Sequence, residues 1–220
     1  MNKTKIEWCD YTINPIKGLC RNDCWYCYAK RMYKRFKWDE HIRPDFSVFD
    51  LNLKKPSRIF VGSTHDIFGD WIPYHWIQEI INHIKREWNK HTFIFLTKNP
   101  KRYAEFLFPD NCWLGTSIES DDKMGRLYDL WKSAKTRNII FASFEPLLSD
   151  LASLDLKEYY EMFTMLDWII IGGLTPEPVH KEEWVNRIIH ESCTDNDIPI
   201  FLKDNLKYPE KIQEFPELLI

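Results

Sequence analysis

The chain has 220 residues, 44% of them hydrophobic and 15% aromatic, which is enough for one large packed domain and too few for two generous ones. Thirty basic and 33 acidic side chains leave a net charge of −3, so no overall field draws the protein to nucleic acid or to a membrane surface, though a local basic patch fits that balance. No basic leader followed by an apolar run is present, and the longest apolar stretch, Trp168–Ile171, is far too short to cross a bilayer; a soluble, cytoplasmic protein in a reducing compartment, with no membrane partner, is expected.

Residues 6–14 alternate loosely between apolar and polar, as a short first strand does, and lead through Pro15 into a loop carrying Cys20, Cys24 and Cys27. The C-x3-C-x2-C spacing puts three soft thiolates on one curled loop, able to surround a metal centre and leave one coordination direction free. A structural zinc site wants four ligands in a closed tetrahedron. The nearest extra donors are Cys9, eleven residues before the triplet, and His41, fourteen after it, so zinc is the weaker reading. A [4Fe-4S] cube held by three thiolates keeps one iron open for a small molecule, and plain packing of three small side chains is the remaining alternative.

Beyond the loop, Tyr28 to Phe36 has helical spacing and carries Lys30, Arg31, Lys34 and Arg35, a face for phosphates or for solvent. Residues 44–56 show no sustained period and read as an excursion with room for a short helix. Arg58 to Val61 is a buried-type strand followed by Gly62, Ser63, Asp66 and Asp70. Pro73 then opens a helix in which Trp76, Ile77, Ile80, Ile81, Ile84 and Trp88 recur at three and four. The same unit repeats, with apolar runs at 92–96, 112–115, 138–142, 167–171 and 198–202 and helical patterns at 101–106, 124–134, 157–166 and 182–192. Near-continuous apolar runs alternating with helices predict an α/β fold with about seven parallel strands in a single domain spanning 1–220. Seven falls short of a closed eight-stranded barrel; a partial barrel with an open mouth and a flat doubly wound sheet both satisfy the periodicity.

Ligand chemistry in parallel α/β proteins gathers at the C-terminal ends of strands. Those ends carry Asn14, Ser63, Thr97, Lys98, Ser117, Glu119, Ser143, Glu145, Lys203 and Asp204, and the cysteine loop follows a strand end too. A buried Glu145 needs a cation, for which Lys98 and Lys203 are the natural choices. Arg126, read as mid-helical, is expected to face solvent. Cys112 and Cys193 read as packing residues, and Cys9 as a neighbour of the site. Gly172-Gly173 is like a phosphate-approach turn but lacks the rest of a dinucleotide pattern.

The cysteine loop, with Tyr26 just before its last cysteine, resembles the signature of the radical S-adenosylmethionine superfamily. The wider chain resembles its phage Gp37/Gp68-type branch through blocks such as Lys5-Ile6-Glu7-Trp8, Arg58 to Ser63, Phe95 to Pro100, Ser143 to Leu148, Asp167 to Gly172 and Phe201 to Asn205. That resemblance implies a partial TIM-like (β/α) barrel in which Cys20, Cys24 and Cys27 bind three irons of a [4Fe-4S] cluster. The methionyl amine and carboxylate of S-adenosylmethionine would chelate the fourth. One electron, from a reductant such as flavodoxin or ferredoxin, cleaves the C5′–S bond to methionine and a 5′-deoxyadenosyl radical that abstracts hydrogen from the substrate. By the same resemblance, Tyr26 packs near the adenine, Ser63 and Asp66 lie by the methionine amine, Thr97 and Lys98 hold the carboxylate, and Ser117 and Glu119 reach the ribose hydroxyls. Glu145, Lys203 and Asp204 would face the substrate. A nucleoside, nucleotide or nucleic-acid base is the expected substrate, with another small molecule as the wider class. The competing function is a nucleic-acid-binding module in which a metal only stabilises the loop, since Trp25, Tyr26, Tyr28 and Tyr33 interleave with Arg21, Lys30, Arg31, Lys34 and Arg35.

Overall fold

A computed structural model describes residues 2–50, 53–86, 90–134, 137–155, 157–193 and 197–217. Its frame is a sheet of seven parallel strands: β1 (Tyr11–Ile13), β2 (Arg58–Val61), β3 (Thr92–Thr97), β4 (Cys112–Ser117), β5 (Ile140–Phe144), β6 (Trp168–Ile171) and β7 (Ile200–Leu202). Each strand pairs with the next in sequence, and the sheet curls into a half-barrel. A doubly wound sheet reverses its strand order at a switch point; the monotonic order here settles the choice for the partial barrel. A short antiparallel segment, Asn2–Lys3, adds to the outer edge of β1.

The crossovers follow the apolar periodicity. Helix α2 (Tyr74–Arg86) turns Ile77, Ile80, Ile81 and Ile84 onto the sheet; Trp88 lies outside the described residues. Helices α3 (Gly125–Ser133), α4 (Lys157–Phe163) and α5 (Glu182–Cys193) cover the later strands, burying Leu127 and Leu130, Phe163, and Val185 and Ile188 respectively. Between β3 and β4 the expected helix over 101–106 is instead a 3-10 turn, Pro100–Glu105. Only fourteen residues separate those strands. The tight turn buries Tyr103 and aims Arg102 at the carbonyls of Gly69 (2.7 Å) and Ile72 (3.1 Å). The first strand is also shorter than expected: residues 6–9 form a turn, with the Cys9 N–H on the Ile6 carbonyl at 3.3 Å, that packs Trp8 and Cys9 into the smaller apolar cluster.

Two apolar clusters flank the sheet. The larger lies between sheet and helices; the smaller lies on the concave face and is mostly aromatic, with Trp8, Phe60, Trp113, Phe141, Trp168 and Phe201. Trp168 is the hub, meeting Trp113 at 5.4 Å, Phe141 at 5.3 Å and Phe215 at 5.5 Å between ring centroids. The open side is sealed by the two ends of the chain. Residues 212–214 hydrogen-bond along β7 (Leu202 N–H to Ile212 O, 2.8 Å; Glu214 N–H to Ile200 O, 2.8 Å), and Glu7 accepts the Asp204 N–H at 2.8 Å. No described helix is long and apolar enough to cross a membrane.

Candidate active site

Side chains two residues apart on a strand share a face. Moving up the concave face from the aromatic floor, that rule gives Ile94, Leu96 and Lys98; Trp113, Gly115 and Ser117; Phe141, Ser143 and Glu145; and Phe201 and Lys203. The aromatic floor therefore gives way to a polar mouth one step at a time. At the mouth lies a cavity of about 920 Å³.

The cysteine loop forms one wall of this cavity. Cys20, Cys24 and Cys27 all line it, together with Tyr26, and none of the three is in a disulfide. Cys27 caps helix α1 (Tyr28–Phe36), its sulfur accepting the Lys30 N–H at 3.5 Å. Burial pushes the Cys20 thiol up to about 11, so it is protonated at neutral pH and would release its proton on binding a metal.

Three tethers fix the loop. Gly18, at φ +101°, takes a conformation open to glycine, and a Cβ there would meet the His41 carbonyl at 2.5 Å. Its N–H donates to Tyr33 Oη at 2.8 Å, and its carbonyl sits 3.0 Å from His65 Nδ1. The Trp71 indole donates to His65 Nε2 at 2.9 Å, which makes Nε2 the acceptor and Nδ1 the protonated nitrogen. Burial lowers the His65 pKa, consistent with a neutral ring. The third tether is Asp66. Its Oδ2 accepts from Asn22 Nδ2 (2.9 Å) and the Lys98 N–H (3.0 Å), and its Oδ1 from Thr97 Oγ1 (2.7 Å) and the Phe68 N–H (3.1 Å). Asp66 and Thr97 line the cavity, yet their polar atoms bind the loop to β2 and β3.

The strand ends bring two ion pairs to the site. Lys98 donates to Tyr26 Oη at 3.0 Å and Ser117 Oγ at 3.3 Å and is paired with Glu119. Glu119 lies behind the lining, 4% exposed, and its other oxygen takes Arg126 Nη1 at 2.9 Å. Burial pulls the Lys98 ammonium down to about 8, which leaves it charged at neutral pH. Arg126 overturns the expectation of a solvent-facing residue: it stands in the first turn of α3 and also donates to the Ser117 carbonyl at 2.7 Å. Glu145 and Lys203 both line the cavity as a second ion pair. A Cβ on Gly172 would come within 2.8 Å of Glu145 Cγ and 3.1 Å of Lys203 Cδ, so close packing explains that glycine. The N–H of Gly173 is taken by Asn205 at 3.1 Å.

Of the residues picked from sequence, the structure gathers Cys20, Cys24, Cys27, Tyr26 and Ser63 around the cavity with Asp66, Thr97, Lys98, Ser117, Glu145 and Lys203. Glu119 supports Lys98 from behind. Asp204 does not line the cavity; it is exposed, at the seam between the chain ends, 3.2 Å from Lys211. Cys9 packs in the aromatic floor, its thiol pushed up to about 12 by burial, and Cys112 is buried in the larger core. The Cys193 side chain lies outside the described residues. Sequence reasoning missed Trp8 as a cavity residue. Its Nε1 is buried with no hydrogen-bond partner among the described residues. Gly18 and His65 were also missed, since their partners lie 15 and 47 residues away. Tyr33, expected among the rings that would stack bases, is instead 5% exposed, with its hydroxyl accepting the Gly18 N–H.

Among the described residues no group of three or more His, Cys, Asp and Glu is placed to hold a metal ion. A cubane asks for something else, one thiolate for each of three irons, and three thiols on one loop facing one cavity supply that donor chemistry.

Comparison with curated proteins gives no match, and comparison with solved structures gives none. The family model described as "Protein of unknown function (DUF5131)" matches residues 3–214, nearly the whole chain, and the protein belongs to that family.

Proposed function

We propose that this protein is a radical S-adenosylmethionine enzyme acting on a nucleoside, nucleotide or nucleic-acid base. The observation that carries the reading is the meeting of three loop thiols with a ring of polar strand-end residues on one cavity. Cys20, Cys24 and Cys27 would hold a [4Fe-4S] cluster. Bound there, it would supply the one-electron reduction by which S-adenosylmethionine gives methionine and the 5′-deoxyadenosyl group that would take a hydrogen atom from the substrate.

The chain's own residues bind, orient and exclude water. Lys98 offers the cavity a cation held in place by Tyr26, Ser117 and Glu119, suited to a carboxylate. Ser63, whose hydroxyl donates to Asn14 Oδ1 at 3.2 Å, keeps acceptor capacity for an amine. Glu145 and Lys203, on the far side of Ser117, are the pair left to meet the substrate. The aromatic floor keeps bulk water from the base of the cavity. Electrons would come from a flavodoxin- or ferredoxin-type reductant in the cytoplasm.

Anaerobic reconstitution tests this. About four irons per chain are expected, with 5′-deoxyadenosine and methionine formed on reduction, and Cys24→Ala abolishes both. Stoichiometric zinc and no cleavage product would instead support a metal-stabilised binding module.

A further inference from the structure

We propose that the cysteine loop and the outer face of α1 form a docking surface for a single-stranded polynucleotide whose bases are offered to the cavity. The proposal deepens the enzyme reading by naming its substrate class, and it rests on that reading only for what happens after docking.

Charge is the first support. Residues 21–43 carry seven Lys and Arg against three Asp and Glu, a net of +4 in a chain whose total is −3. Helix α1 has no acidic residue at all. Two of the seven cations are neutralised locally, Lys30 by Asp23 and Arg43 by Asp39. Arg21, Arg31, Lys34, Arg35 and Lys37 have no ion pair among the described residues; Arg31 donates to the Thr175 carbonyl at 3.5 Å, and the other four remain for phosphates.

Aromatic exposure is the second and independent support. A solvated basic helix has no need of exposed rings, yet four of the nine large apolar side chains exposed among the described residues fall between 25 and 38: Trp25 (72%), Tyr28 (45%), Phe36 (53%) and Trp38 (42%). Phe36 and Trp38 already stack, with centroids 5.5 Å apart, and the Arg35 guanidinium lies 5.3 Å from the Phe36 centroid. Rings alternating with cations are how single strands are held without sequence preference, bases on the rings and phosphates on the cations.

Continuity with the cavity is the third. Tyr28, Arg31 and Trp38 belong both to this face and to the cavity lining. A strand lying along α1 thus has a base within reach of the mouth. The interior, at about 920 Å³, is at the large end of small-molecule sites and leaves room for a base beside a cofactor.

Fluorescence anisotropy on the full reconstituted chain tests the proposal with labelled dT20, U20, a 20-base-pair DNA duplex and polyglutamate as an acidic-peptide probe. Single strands should bind at least tenfold tighter than the duplex, and polyglutamate should not displace them; the tighter of dT20 and U20 identifies the sugar. Lys34→Ala/Arg35→Ala/Lys37→Ala should lower the slope of log Kd against log salt by about 2. Trp25→Ala/Phe36→Ala should weaken single-strand binding about tenfold with the slope unchanged. Unaltered iron content and unfolding midpoint show that the variants remain folded. Equal binding of duplex and single strand, displacement by polyglutamate, or indifference to the aromatic variant overturns the proposal. Formation of 5′-deoxyadenosine without strand binding overturns docking and spares the enzyme reading; strand binding without 5′-deoxyadenosine does the reverse.

Discussion

The floor and the mouth of the half-barrel are built on the same strands and the same face, two to four residues apart, yet they are held together by different physics. At the floor, rings of Trp8, Phe60, Trp113, Phe141, Trp168 and Phe201 interlock, and burial of apolar area supplies the stability. Gly115 belongs to this design, since a Cβ there would meet the Phe141 ring at 2.3 Å. At the mouth, Lys98, Glu119, Arg126, Glu145 and Lys203 form ion pairs partly withdrawn from water, an arrangement that adds little net stability and is costly when one partner is lost. The floor makes the barrel, and the mouth uses it.

The largest effect that separates the two regions is expected from the floor. Trp168→Ala removes a fully buried ring from among five aromatic neighbours and should cost about 4 kcal/mol in denaturant unfolding. The iron bound per folded molecule should be unchanged. Loss of cluster binding without loss of stability would break the division.

Next is Glu119→Gln, which leaves Lys98 and Arg126 facing each other across a neutral amide. A loss of about 3 kcal/mol is expected, and S-adenosylmethionine binding by the folded fraction should weaken, because Lys98 loses the partner that holds it. Weaker still is Gly172→Ala, whose methyl presses on Glu145 and Lys203 and should cost about 1–2 kcal/mol. Substrate turnover should fall more than 5′-deoxyadenosine formation without substrate.

The smallest effect is a pH dependence of the loop tether. The His65 pKa is lowered in the fold, so its contribution is present above the unfolded value of about 6.5 and is lost as pH falls through the folded value. Protonation at Nε2 would set two donors against each other at Trp71. Unfolding midpoints between pH 7.5 and 5.5 should therefore drop on the acid side, by about 1 kcal/mol in stability. His65→Gln, which takes up no proton, should be less stable at neutrality and flatter across that range.

Much of this fold was legible in the sequence, and the reason is that parallel strands covered on both faces leave apolar runs that stand out. The same burial hides which face each residue takes, because both faces are apolar. Strand parity was the usable signal. Lys98, Ser117, Glu145 and Lys203 are in step with Ile94, Trp113, Phe141 and Phe201, and Asp204 is out of step and stands outside the cavity. Parity does not explain Arg126, which stands in the first turn of α3, just past the turn Asp121–Lys123, and from there reaches Glu119 and the Ser117 carbonyl. Nor does any local pattern foretell that Gly18 is held from both sides by Tyr33 and His65, since those contacts exist only once α1 and the loop after β2 have folded around it.

Electron paramagnetic resonance of the anaerobically reduced, reconstituted chain tests the central claim most directly. The account predicts a [4Fe-4S]⁺ signal that changes when S-adenosylmethionine is added and is absent in Cys24→Ala. A signal indifferent to S-adenosylmethionine, or a chain that takes up zinc and gives no signal, would contradict it.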